Sequence, residues 1–289
     1  MNISDLLQYI NRYHSSAFAF AGKLPGGHQD GAYALVEPDG RRAVLKQQFA
    51  PRALPIIGRL RANGFATPDV LLSGTAPDGT TYLLLEFVVG SPVQTLTDEY
   101  LDQVLALNEL QADLNPDPAA DPLESWSGYV YEVVFARSSV WVTALTEHSQ
   151  ATASLLGALR QATERYADVV LPNTDVVHGD LHCGNMLAQA GRITGVIDMV
   201  YAGYGTRAID LVSLLHNLES HKYAPEVRAR LRARIIERFG IPVYAICLAF
   251  REIVTLTWAV RRRSDAWVDH FVRAGWAIRD ELEGLRTKG

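Results

Sequence analysis

The chain has 289 residues, 48% hydrophobic and 20% charged, with 27 Lys and Arg against 32 Asp and Glu for a formal net charge of −5. That length can bury a sizeable core in one large domain or two lobes, and the acidic balance gives no support to nucleic-acid binding. Cys183 and Cys247 are the only cysteines, which excludes a disulfide framework and fits a reducing, cytoplasmic location.

The N-terminus lacks a basic start and a continuous apolar stretch, so a signal peptide is not expected. Ser4 is read as an N-cap for a helix whose Leu6, Leu7, Ile10 and Tyr13 share one face. Residues 18–21, 32–36 and 42–46 read as strands. Between the first two lies a loop with Gly26, Gly27 and Gly31, and Glu37-Pro38-Asp39-Gly40 makes a turn between the last two. Pairing about that turn sets Gly31 roughly across from Lys46. Glycines let a backbone approach phosphates closely and a lysine supplies compact positive charge, so this end of the hairpin suits a triphosphate. A helix over 52–62, stopped by Asn63-Gly64, and strands at 70–72 and 81–88, broken by Gly90-Ser91-Pro92, complete a β-rich segment.

From Thr97, read as an N-cap, the pattern becomes helical. Segments 129–147, 151–166, 210–217, 225–239, 242–262 and 266–285 follow. No run reaches the ~20 apolar residues that span a bilayer, so no membrane association is expected. The arginines at 228, 230, 232, 234 and 238 read as a solvated helix face.

One stretch interrupts this helical half. Val176-Val177 is a short β-branched run ending at His178-Gly179. Residues 186–188 and 193–197 flank Gln189-Ala190-Gly191-Arg192 as a hairpin. Antiparallel pairing brings Asn185, entering the first strand, beside Asp198, leaving the second, with Asp180 in the loop that leads in. A carboxylate to orient and deprotonate a hydroxyl, followed by two hard oxygen donors, is what nucleotide-dependent phosphoryl transfer with Mg²⁺ requires.

The segments His178-Gly179-Asp180-Leu181-His182-Cys183-Gly184-Asn185, Gly195-Val196-Ile197-Asp198, Gly203-Tyr204-Gly205 and Asp210-Leu211 resemble the aminoglycoside phosphotransferase and choline kinase-like family of small-molecule kinases with the protein-kinase fold. Gly179, where protein kinases carry Arg, points to the small-molecule branch. Three positions depart from the family: Cys183 in place of the usual proline, Met199 in place of an aromatic residue, and Thr206-Arg207 in place of Asp-Pro. The resemblance implies an α+β, two-lobed fold: residues 1–88 as a nucleotide-binding N-lobe of antiparallel sheet plus helix, and residues 89–289 as a mainly α-helical C-lobe with the catalytic loop and acceptor-binding helices. A cleft between the lobes is the expected site. The resemblance further implies Asp180 as catalytic base, Asn185 and Asp198 as metal ligands, His178 and Asp210 as supports of the catalytic loop, and Glu86-Phe87-Val88 as a hinge whose backbone meets the adenine edge. Lys46, Gly26, Gly27 and Gly31 would serve the triphosphate. ATP, with GTP as the alternative, and Mg²⁺ are the implied cofactors.

In the kinase fold the strand lysine pairs with a glutamate on the next helix, yet no Asp or Glu occurs between Lys46 and Asp69. Three readings stay open: Gln47 or Gln48 orients Lys46, Asp198 pairs with it, or the nucleotide site is weakened. The expected activity is ATP-dependent phosphorylation of a hydroxyl on a small cationic acceptor, most of all an antibiotic such as an aminoglycoside or basic cyclic peptide, conferring resistance. Glu124, Glu132, Asp265 and Asp269 are the acids expected to face that acceptor. The alternatives are a metabolite kinase for an amino alcohol or sugar and a non-catalytic nucleotide-binding pseudokinase.

Overall fold

A computed structural model describes residues 1–24, 31–119, 124–136, 139–220 and 225–285. The chain divides into two compact units, residues 1–93 with 184–202, and residues 94–183 with 203–289.

The first unit is built on a five-stranded antiparallel sheet of order β1-β2-β3-β5-β4, from β1 (Ala19–Lys23), β2 (Tyr33–Val36), β3 (Arg42–Gln47), β4 (Val70–Thr75) and β5 (Thr81–Glu86). Alternation along the strands sends side chains to opposite faces. Ala43, Leu45, Tyr82 and Leu84 turn to one face, where α1 (Ile3–His14) covers them with Leu6, Leu7 and Ile10. The cap of α1 is Asn2 rather than Ser4: the Asn2 side chain accepts from the Asp5 amide, so the helix begins two residues earlier than expected. The other face carries Val44, Lys46, Leu83 and Leu85, beside α2 (Ala53–Ala62), whose Ala53, Ile56, Ile57 and Leu60 are buried. A second, three-stranded sheet in this unit, of order β6-β8-β9, joins β6 (Ser91–Pro92) to the hairpin of β8 (Met186–Gln189) and β9 (Arg192–Val196). Its turn has positive φ at both central residues, Ala190 at 49° and Gly191 at 76°. That twist matches the flanking strands.

The second unit is helical. Thr97 caps α3 (Asp98–Glu109) by accepting from the Tyr100 amide. The single helix expected over 129–147 is two, α4 (Trp126–Phe135) and α5 (Val140–His148). Ala136 turns extended at φ −62°, ψ 135°, and Ser139 caps the new helix at Val142, a start signal that apolar periodicity alone does not register. After α6 (Gln150–Thr163) come β7 (Asp175–Val177), β10 (Gly203–Gly205), α7 (Ala208–Ser220), α8 (Pro225–Arg261) and α9 (Asp265–Gly284). α8 is broken at Gly240, where φ is 82° and ψ is 160°, so the two helical patterns of the sequence are two segments of one run. Its second segment buries Tyr244, Ile246, Cys247, Leu248, Phe250, Ile253 and Leu256. A helix apolar nearly all round belongs at the centre of a bundle, and α7 and α9 pack on it. β7 and β10 pair antiparallel, Val177 opposite Gly203.

Candidate active site

In the second unit, β7 delivers the chain to the loop containing Asp180. Val176 and Val177 are fully buried, and Gly179 makes the turn with φ of 86°, a conformation a side chain would resist. The loop is held from beneath by Asp210. One Asp210 oxygen accepts from the His178 amide at 2.7 Å and from Gln111 Nε2 at 2.6 Å; the other accepts from the Gly179 amide at 2.9 Å. Burial pushes the Asp210 carboxyl above the ordinary carboxylate range, opposed by the His178 ring and these donors. His178, itself buried, accepts the Asp180 amide at Nδ1 at 3.2 Å.

Around this anchor lies a buried polar network that the sequence reading did not single out. Gln111 also donates to Val176 O at 3.1 Å, and Asn108 donates to Gln111 Oε1 and to Arg207 O. Arg207, one of the departures from the family pattern, lies 3.5 Å from Asp175 and 2.7 Å from Glu109. These pairs give its charge a buried home. Gly205 cannot be larger, because a Cβ there would come 2.7 Å from Trp126 Cβ.

Asp180 itself is partly open, its side chain 32% exposed. Two basic side chains stand beside it: His182, Nε2 at 3.8 Å, and Arg251 of α8, a guanidinium with Nη2 at 3.6 Å. Arg251 was missed in the sequence, although a charged pair, Arg251-Glu252, inside an otherwise apolar helical stretch was a visible signal. Glu252 turns the other way and meets His216 Nε2 at 2.8 Å in the core. The acids expected at an acceptor, Glu124, Glu132, Asp265 and Asp269, are exposed, Glu132 on α4 and Asp265 and Asp269 on α9. Cys183, at the end of the loop, is buried, and burial pushes its thiol up to about 11.

In the first unit the hairpin registers Met186 against Val196, and the Ile197 amide donates to Asn185 O at 2.8 Å. Asn185 and Asp198 therefore leave adjoining ends of one hairpin. Asp198 sits in the left-handed region at φ 70°, tolerated by aspartate better than by most residues. Its Oδ1 lies 2.6 Å from Lys46 Nζ. Of the three readings left open for Lys46, the structure shows the Asp198 pair. The space where a helix glutamate would stand is apolar: the cavity reached by Lys46 is lined by Ala53 and Ile57 of α2, with Phe49, Leu83, Leu85 and Met199. α2 turns its charge elsewhere, Arg61 pairing with Asp69 and bonding Thr67 O.

One carboxylate and one amide oxygen form a sparse donor set. Among the described residues no cluster of three or more His, Cys, Asp or Glu side chains is placed to cage an ion. That composition fits Mg²⁺, which takes few protein ligands and completes its shell with phosphate oxygens and water, and Asn185 and Asp198 are the residues that would hold it. Gly31 belongs to the described residues, and any Cβ there would strike the Lys23 stem; Gly26 and Gly27 lie outside the described residues. In the expected hinge, the Glu86 amide donates to Asp69 O at 2.8 Å, the Phe87 ring is covered by Arg42 at 3.5 Å, and Val88 packs on Gly195.

Comparison with known proteins adds independent findings. The hygromycin-B 4-O-kinase of Escherichia coli is 24% identical over 230 residues, covering 74% of this chain and 62% of that protein, so the chain spans under two thirds of its relative's length. Among solved structures, a thermostable mutant of the aminoglycoside phosphotransferase APH(4)-Ia in its apo form superimposes with a TM-score of 0.72 at 16% identity, covering 95% of this chain and 98% of the other. The amicoumacin kinase hAmiN, in complex with AMP-PNP, Ca²⁺ and Ami, does so at 0.66 and 15% identity, covering 97% and 96%. The wild-type aminoglycoside 2'-phosphotransferase-IIIa in its GDP complex does so at 0.62 and 14% identity, covering 99% and 100%. At these identities the likeness establishes the kinase-like fold. The family model of the phosphotransferase enzyme family (APH) matches residues 22–250, most of the chain, and with the loop and hairpin described above the chain belongs to that family of phosphotransferases.

Proposed function

We propose that the protein is an ATP-dependent O-phosphotransferase that phosphorylates a hydroxyl of a small molecule, with a cationic antibiotic of the aminoglycoside or basic cyclic peptide kind as the first acceptor to test. The observation that carries this reading is the ordered set Asp180, Asn185 and Asp198, with Asp180's loop anchored on Asp210 and Asp198 bonded to Lys46. A chain that had lost turnover would have no need of all of these. The hygromycin-B kinase relative and the amicoumacin kinase neighbour support an antibiotic acceptor and a resistance role.

In this reading Asp180 orients the acceptor hydroxyl and takes its proton as the phosphoryl group is transferred. Lys46 and the 26–31 loop steady the triphosphate, and the backbone of Glu86, Phe87 and Val88 meets the base. Mg²⁺, held by Asn185 and Asp198, would neutralise phosphate charge. Lys46, with no Asp or Glu on α2, is then positioned by Asp198, its ion-pair partner among the described residues. The protein works in the cytoplasm, where nucleotide is available. Catalysis on this plan rests on positioning and charge complementarity.

The test is incubation with Mg²⁺, ATP or GTP, and a panel of antibiotics and metabolites, read as a phosphate mass gain of 80 Da on the acceptor (about one HPO₃ unit). GTP belongs in the panel because the 2'-phosphotransferase-IIIa neighbour holds GDP. Nucleotide binding without transfer to any acceptor would favour the nucleotide-binding pseudokinase. A metabolite kinase is the second reading, and one observation favours it: the Arg251 guanidinium beside Asp180 adds positive charge where a polycation would have to approach.

A further inference from the structure

Arg251 is the charged group near Asp180 for which neither the motifs nor the loop anchor has a use. It projects from the middle of the buried segment of α8, 21% exposed, next to Phe250 and Ile253, which are almost fully buried. Taking a guanidinium part-way out of water costs free energy that is recovered when its donors are filled. Arg251's are not. A guanidinium has five N–H donors in a planar fork. Among the described residues the one ion pair of this fork is the 3.6 Å approach to Asp180 Oδ1, beyond hydrogen-bond reach, and its buried Nε has no hydrogen-bond partner.

The neighbouring arginines show what a purely structural role looks like in this unit. Arg207 is engaged by Asp175 and Glu109, Arg232 by Glu281 and Tyr244, and Arg160 by the Val133 and Ala136 carbonyls, all with at least one contact of 3.3 Å or less. The Nε of Arg160 and of Arg207 also lacks a partner, so what sets Arg251 apart is that, among the described residues, its terminal nitrogens make no hydrogen bond either. Glu252, adjacent in sequence, makes no ion pair with Arg251 among the described residues: its Oε2 meets His216 Nε2 at 2.8 Å and its Oε1 has no partner. A planar donor fork, partly open and left without a hydrogen bond within 4 Å of the group that receives the acceptor hydroxyl, matches an oxyanion, a carboxylate or a phosphate. A carboxylate meets a guanidinium in two parallel hydrogen bonds.

We infer that Arg251 is a specificity-determining residue that binds an acidic group of the acceptor, so that the preferred acceptor is a hydroxy compound with a carboxylate close to the reacting hydroxyl. The inference rests on the reading of Asp180 as the base, and it favours the metabolite-kinase reading over the cationic-antibiotic one. In the acceptor-free protein Arg251 leans on Asp180; a bound carboxylate draws the fork onto itself and leaves Asp180 to the hydroxyl. Lysine at this position would keep the charge and lose the two-point match.

The experiment uses the full chain with Mg²⁺ and ATP, offered matched pairs that differ in the acid: D-glycerate against glycerol, gluconate against glucitol, and hygromycin B as an acceptor without a carboxylate. Transfer is followed by ADP release and acceptor mass. The expected result is a kcat/KM for the acid member at least about tenfold above its alcohol, which is about 1.4 kcal/mol and the scale of one charge-assisted contact. Arg251→Met should bring that ratio to near one, by raising acceptor KM rather than lowering kcat, while AMP-PNP binds with unchanged Kd. Arg251→Lys should keep part of the preference and shows whether loss in the Met variant comes from misfolding, with a thermal melt beside it. Preference for the alcohols or for hygromycin B, an acid preference that survives in Arg251→Met, or AMP-PNP binding with no acid phosphorylated would each overturn the inference. Failure to bind AMP-PNP with Mg²⁺ at all would instead remove the phosphotransferase reading on which it stands.

Discussion

Replacing Asp210 by Asn tests whether the catalytic loop is held by the charge and geometry of that one buried side chain. Asp210 is fully buried and its two oxygens take three hydrogen bonds, from the amides of His178 and Gly179 and from Gln111 Nε2. Asparagine has one oxygen and one NH₂. With the oxygen kept toward His178 and Gln111, the NH₂ faces the Gly179 amide, donor against donor. A buried amide left without an acceptor costs about 1–3 kcal/mol, and each remaining bond falls from charge-assisted to neutral, about 1 kcal/mol apiece. Relief from burying a charge returns part of this, so a net loss of about 2–4 kcal/mol is expected by chemical denaturation. With the loop loosened, turnover should drop at least about tenfold in material that is still folded, while AMP-PNP, whose proposed contacts Lys46 and residues 86–88 lie in the other unit, should bind as before. A variant within about 0.5 kcal/mol of wild type with full turnover would refute the anchoring argument.

Asp180→Asn should lower kcat by a factor on the order of 10²–10⁴ with nucleotide affinity unchanged, checked by steady-state kinetics beside calorimetric AMP-PNP binding. Asp198→Asn should act in the opposite place, weakening Mg²⁺-dependent nucleotide binding because it removes both the proposed metal oxygen and the partner of Lys46 at 2.6 Å; equal affinities for the two proteins would sink the assignment. Gly205→Ala should destabilise by about 1–3 kcal/mol, since its Cβ lands 2.7 Å from Trp126 Cβ and 3.1 Å from the Ser127 amide, and a denaturant midpoint at the wild-type value would contradict that packing. Cys183 and Cys247, whose burial holds their thiols up to about 11 and about 12, should resist a thiol reagent in the native protein at pH 7 and both react once it is unfolded.

The local elements were legible in the sequence because each carries its own signal. Alternation located the strands of the first unit, glycine turns located the hairpin of 186–196, and the loop and hairpin motifs of 178–211 pointed to the phosphotransferase family that the family model matches. Where one start signal competed with a longer periodic pattern, the reading slipped: Ser139 divides one expected helix into two, and Asn2 caps α1 in place of Ser4. Those are contests of single hydrogen bonds, which hydrophobic period does not record.

Contacts between residues far apart in the chain belong to the tertiary structure alone. The sequence by itself determined that no acid between Lys46 and Asp69 could serve the lysine; only the fold decided that Asp198, 152 positions away, takes that place. It determined that Asp210 follows the loop motif, whereas packing decided that Gln111, from the end of α3's segment, shares its carboxylate, and that Arg207 closes on Asp175 and Glu109. Arg251 looked like one charge in an apolar run, and its position beside Asp180 is set by how α8 lies in the helical unit. The physical reason is the same in each case. Secondary structure follows from periods and caps within a few residues, but a buried charge is satisfied by whatever partner the packing of the core brings within about 3 Å.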